Sequence, residues 1–153
     1  MKEKLSLALL FCAFLTFAAD ASFELTLNTS NAQVGHLIIG SHKDATDGYD
    51  RGRDIYVPPF GMGTGIVGIF VSEKNPNMLY KDIRSTKLPQ EWRIDCKPAR
   101  NPIVVSWQKK DFPEGLQFKA TNGKGIVTDM REKSSVRITA ADTVTITVSP
   151  AAK

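Results

Sequence analysis

Apolar and polar residues alternate along most of this chain with a period of two. Phe23, Leu25 and Leu27 alternate with Glu24, Thr26 and Asn28. The same beat returns at Trp92, Ile94 and Cys96, at Ile103, Val105 and Trp107, and at Leu116 and Phe118. It continues at Val136 and Ile138 and closes at Val144, Ile146 and Val148, where threonines fill the places between. Residues two apart share one face of a strand, so each segment predicts a strand with one core face and one polar face. Val34 to Ile39 and Ile66 to Val71 are more continuously apolar, which predicts strands covered on both sides or at the sheet centre. No stretch carries the i, i+3, i+4, i+7 stripe of an amphipathic helix.

Turn chemistry separates these segments. Asn28 to Asn31, Asn75 to Asn77, Asp111 to Gly115 and Asn122 to Gly125 are clusters of Asn, Asp, Pro, Gly and Ser between strand candidates. Asn122-Gly123 predicts a tight hairpin joining Leu116–Ala120 to Ile126–Met130. Roughly nine or ten short strands at this spacing predict an all-β fold, an antiparallel two-sheet sandwich of immunoglobulin-like type rather than a barrel. That domain is expected over residues 22–149, with 150–153 a short tail that frays.

The first residues change the picture, because they read as a signal peptide. Lys2 and Lys4 precede an apolar run from Leu5 to Ala19, and Ala19-Asp20-Ala21 offers small residues at both positions that signal peptidase reads. Residues 1–21 are therefore expected to be removed, with cleavage before Ser22 and export to the periplasm or beyond. An apolar run of about 15 residues is short for crossing ~30 Å of hydrocarbon, so no membrane span is expected after cleavage. The mature chain would have 132 residues, 18 cations against 14 anions, and a net charge of +4. The cations are dispersed, with Lys109-Lys110 side by side and no basic stripe, which argues against a nucleic-acid surface. Cys12 leaves with the signal peptide, so Cys96 has no intrachain partner. It alternates in phase with Trp92 and Ile94 and is expected to be a buried thiol acting as a small hydrophobe.

Candidate chemistry is concentrated in Ala45 to Phe60, ATDGYDRGRDIYVPPF, the one long stretch that follows no hydrophobic period. A loop of that length in a compact domain is usually functional or braced. Asp44, Asp47, Asp50 and Asp54 form a candidate calcium set, since calcium takes six to eight oxygens from carboxylates and carbonyls. Their spacing departs from the EF-hand loop, and Arg51 and Arg53 dilute their charge. The competing reading has the same aspartates capping turns through backbone N–H groups. Gly61 to Gly68, GMGTGIVG, looks like a phosphate loop, but no strand precedes it and no helix pattern follows; glycines that let the chain re-enter the sheet are the better reading. His36 and His42 are the only histidines and come with no nucleophile signature; a zinc site would need a third ligand such as Asp44. Asp82-Ile83-Arg84 and Asp129-Met130-Arg131 echo one another, and two such pairs on neighbouring strands would make a crossed ladder of ion pairs.

The strand ending at Gly40, followed by ATDGYDRGRDIYVPP, resembles a β-sandwich module that recurs in bacterial extracellular and surface proteins. Leu79 to Arg84, the strand around Trp92, Ile103 to Trp107, the turn before Leu116 and Val127 to Arg131 look similar too, so the resemblance spans most of the mature chain. It implies an immunoglobulin-like sandwich placed beside sorting or other surface modules, and it brings no catalytic residues with it. The resulting expectation is an exported, non-catalytic binding or assembly module with a protein partner in a larger extracytoplasmic structure. No cofactor is expected beyond the candidate calcium. A carbohydrate-binding module with exposed aromatics is the main alternative. A small enzyme, which would need a pocket joining His36 or His42 to the aspartate loop, is the less favoured one.

Overall fold

Eleven strands carry the chain in the computed structural model, which describes residues 22–57, 65–72 and 75–152. They are β1 (Phe23–Ser30), β2 (His36–Ser41), β3 (Ile55–Tyr56), β4 (Ile66–Ser72), β5 (Asn75–Arg84), β6 (Gln90–Lys97), β7 (Ile103–Ser106), β8 (Leu116–Asn122), β9 (Val127–Asp129), β10 (Ser135–Ile138) and β11 (Asp142–Pro150). A single 3-10 turn spans Lys109–Asp111, and no α-helix occurs among the described residues. The expected signal peptide, Pro58-Pro59 and the glycines at 61 and 63 lie outside the described residues.

The strands form one continuous sheet in the order β10-β7-β1-β2-β5-β4-β6-β11-β8-β9, with β3 attached to β5. The all-β class is as the alternation predicts. The sheet is mixed rather than purely antiparallel, because β2 and β5 run parallel, with Ile38 opposite Lys81 and Ser41 opposite Arg84. The two apolar segments, β2 and β4, flank β5 at the middle of the order, where continuous apolarity places them. The hydrogen-bonded path is unbroken, and the sheet curls into a half-barrel.

Curling brings distant strands together across one core. Phe23 on β1 meets the ring of Trp92 on β6 at 6.1 Å and that of Phe118 on β8 at 5.4 Å, both edge-on. Leu25, Leu27, Ile39, Ile94 and Ile146 are fully buried around them. Each such side chain contributes about 1.5–3 kcal/mol by leaving water. Cys96 is buried and free, with burial pushing its thiol up to about 12. Trp107 is buried at the other end, its Nε1 donating to the carbonyls of Met130 (2.8 Å) and Lys133 (2.9 Å).

β5 is the seam between the two halves of the sheet. Up to Leu79 it pairs with β4, and from Lys81 it pairs with β2. Between these stretches Ile55 and Tyr56, adjacent on β3, face Lys81 and Leu79, which leaves Tyr80 as an extra residue on β5. Such a bulge reverses the facing of everything beyond it. Leu79 and Asp82 are three apart yet both buried, which simple alternation forbids.

One local expectation is corrected. The β8–β9 hairpin forms, with Lys119 opposite Asp129 and Thr121 opposite Val127, but its loop is longer than a two-residue turn. Asn122 Oδ1 accepts the N–H groups of Lys124 and Ile126, and Gly125 takes the positive φ of 75°. Gly123 serves a different purpose: a Cβ there would lie 2.0 Å from the Asp142 carboxylate, which accepts its N–H. On β9 and just past it the buried residues are Thr128 and Met130, and Ile126 and Val127 face solvent at 60% and 57% exposure.

Candidate functional site

The aspartate loop lies against the end of β5, and its own carboxylates hold it there. Asp54 is buried; its Oδ1 accepts the N–H of Ile83 on β5 at 2.8 Å, and its Oδ2 accepts the N–H of Asp50 at 2.6 Å. Asp50 in turn receives the Thr46 N–H at 2.5 Å and the Thr46 hydroxyl at 3.0 Å. Asp47 Oδ1 accepts from the Ser85 N–H (3.2 Å), the Ser85 hydroxyl (2.6 Å) and the Gln90 amide (2.9 Å). Asp50 O collects the N–H groups of Arg53 and Asp54, and the turn passes through Gly52 at φ 91°, where a side chain would be strained. Short aspartates beside turn residues supply the acceptors that this irregular backbone lacks.

Beneath the loop sits a second acid. The bulge at Tyr80 turns Asp82 and Arg84 inward, and Arg84 donates Nε and Nη2 to Asp82 Oδ2 at 3.0 and 2.9 Å. Arg84 also donates to the Glu91 carbonyl and lies 5.4 Å over the Trp92 ring. Trp92 Nε1 is buried with no hydrogen-bond partner among the described residues. Burial pushes the Asp82 carboxyl up to about 6, against the pull of Arg84, and the charges of Asp54 and Asp47 push the same way. Burial also raises Asp54, outweighing its two N–H donors, whereas the Ser85 hydroxyl and Gln90 amide hold Asp47 below the ordinary carboxylate value.

The structure thus brings together Asp47, Asp50, Asp54, Asp82 and Arg84. Asp44 stands apart, its carboxylate 61% exposed and 3.8 Å from His42 Nδ1. Asp129 and Arg131 are remote in the sheet: four strands separate β9 from β5, so the crossed ladder does not form. Asp129 accepts the Arg131 N–H, and Arg131 donates to the carbonyls of Pro113 and Leu116 beside the Phe112 ring. Two participants were not singled out in the sequence: Ser85 and Gln90. Gln90 carried a signal, being a polar residue in the core phase of Trp92, Ile94 and Cys96. The reversed pair Arg93–Asp95 was also passed over; it is bonded at 3.0 Å, with Thr143 on Asp95 and Arg93 4.1 Å over Phe70.

As calcium ligands the loop carboxylates are poorly presented. N–H, hydroxyl and amide donors face the oxygens of Asp47, Asp50 and Asp54, and a cation would have to displace them. Among the described residues no group of three or more His, Cys, Asp or Glu is placed to hold a metal ion. His36 packs edge-on to Tyr80 at 6.2 Å. In the glycine run, a Cβ on Gly65 would lie 2.6 Å from the Asn31 carbonyl and one on Gly68 2.6 Å from Met78, so both permit close strand approach.

Outward, the loop presents Tyr49, 40% exposed and stacked on Tyr56 at 4.5 Å, and Ile55, 42% exposed. On its other flank, the Gly52–Arg53 turn and the outer face of β1, β2 and β5 enclose an open cleft of about 370 Å³. His42 lines that cleft, so a histidine does meet the aspartate loop, although Glu24 is the one carboxylate in the lining. Compared with family models, curated proteins and solved structures, the chain finds no match.

Proposed function

We propose that this chain is an exported, non-catalytic β-sandwich module for binding or assembly, a subunit or accessory of a larger extracytoplasmic or cell-surface structure. In this reading the halves of the curled sheet on either side of β5 act as the two layers of an immunoglobulin-like sandwich. The observation that carries it is the orientation of the loop chemistry. The carboxylates of Asp47, Asp50 and Asp54 are turned inward to brace backbone, while Tyr49 and Ile55 are left on the surface. Pre-ordering a loop in this way lowers the entropic cost of binding, and exposed tyrosine is a favoured contact residue at interfaces.

The test is the native mass of the protein in the extracytoplasmic fraction of its host, with co-migrating proteins identified by mass spectrometry and the N-terminus sequenced. Migration with a defined partner, lost on Tyr49→Ala, together with an N-terminus at Ser22, is the expected result. A lone species of about 14 kDa would sink the assembly reading. The Tyr49–Tyr56 stack also favours carbohydrate binding as a second reading, since sugars pack on exposed aromatic faces. Both tryptophans are buried, so the tyrosines and not tryptophan fluorescence would report it.

A further inference from the structure

We propose that the cleft beside Arg53 is a binding site for a small carboxylate-bearing ligand, of the size of one amino acid or one sugar acid. Its volume of about 370 Å³ lies at the small end of the range for ligand sites. Ile83 supplies apolar surface, and His42, Arg53, Lys81 and Glu24 the polar wall. On β2, between β1 and β5, Gly40 permits close packing: a Cβ there would fall 2.3 Å from the Phe23 carbonyl and 2.9 Å from Ile83 Cδ1.

The two cations in the lining differ in their bonding. Lys81 Nζ donates to both carboxylate oxygens of Glu24, at 2.9 and 3.0 Å, so its charge is met. Arg53 is half-buried, yet its guanidinium makes no hydrogen bond or ion pair among the described residues. A guanidinium fork matches a planar carboxylate bidentately, and leaving water for such a partner is what a partly buried arginine is suited to do. Its backbone is already fixed, with Arg53 N–H on the Asp50 carbonyl and the next residue clamped to β5. The site is therefore ordered before any ligand arrives. His42 adds a donor, because Nδ1 accepts the Asp44 N–H and so leaves the proton of the neutral ring on Nε2. Arg53 and Lys81 against Glu24 leave the lining net positive, and cleavage before Ser22 would add an α-ammonium to it, so the cleft suits an anion. The site is separate from the Tyr49 surface, so it stands whether or not that surface binds a partner.

The test is an amide-resolved NMR titration of the mature protein with glucuronate and with N-acetylalanine. Each is paired with a neutral counterpart, glucose and N-acetylalanine amide. Saturable shifts at Gly52, Arg53 and Lys81 with either acid, and not with its neutral counterpart, are expected. A response to glucuronate alone identifies a sugar acid, and one to N-acetylalanine alone an amino-acid carboxylate. Arg53→Gln should weaken binding at least about tenfold while leaving the remaining amide spectrum folded. Should that variant unfold, Arg53→Lys carries the same test, since it keeps charge and stem but loses the fork, and it should bind several-fold more weakly. Equal response to acid and neutral probes, no saturable shift with either acid, or undiminished binding in the folded arginine variant overturns the proposal.

Discussion

Asp82 is 3% exposed, and its charge is balanced by one guanidinium while two more carboxylates lie near it. Its folded value of about 6 lies above the ordinary 3.8, so carrying its charge at neutral pH costs about 3 kcal/mol. The sign follows: the stability it contributes is fully present below 3.8 and lost as pH rises through about 6. Asp54 acts in the same direction. Asp47 is held low and acts oppositely, its contribution present above 3.8 and lost as pH falls through its depressed value. The melting temperature should therefore rise as pH is lowered from about 7 to about 5, then fall below about 4. Asp82→Asn should flatten the upper limb of that profile and leave the acid limb intact; thermal melts across this range check both.

Asp54 joins two elements, and its removal separates them. Asp54→Ala leaves the buried N–H groups of Ile83 and Asp50 without their acceptor and should cost about 2–4 kcal/mol in chemical denaturation, with Asp54→Asn costing less. Element positions also decide which ion pairs couple. A double-mutant cycle on Asp82 and Arg84 should give a coupling of about 1–3 kcal/mol, and one on Asp82 and Arg131 a value near zero. Much at this scale was legible in the alternation: Phe23, Leu25 and Leu27, or Val144, Ile146 and Val148, point inward as their spacing requires. What escaped were features set by neighbours. The inward turn of Asp82 depends on one extra residue at Tyr80, and the exposure of Val127 on the inward pull of Met130. Nothing in the composition of β2 and β5 distinguishes parallel from antiparallel pairing. The aspartate loop was visible as an interruption of pattern, but its partners Ser85 and Gln90 lie 38 and 43 residues from Asp47, beyond any local signal.

For the molecule as a whole, the loop bracing predicts that stability does not depend on calcium. Melting with and without a chelator should give the same midpoint, whereas a chelator-induced fall would show that an ion, and not backbone N–H groups, satisfies Asp47, Asp50 and Asp54. The parallel β2–β5 pair has a consequence in time as well as in space. It joins residues 43 positions apart, Ile38 to Lys81, and on the far side of β5 every strand but β4 follows later in the chain. Until β5 joins them, β1 and β2 are a hairpin whose β2 edge is unsatisfied, and the β1 edge waits for β7, which lies later still in the chain. Closing a loop of that length costs entropy, and Asp54 gains its acceptor role toward Ile83 only once β5 is in place. The bracing of the loop is thus tied to the assembly of the sheet's middle, and a chain halted before residue 84 would complete neither.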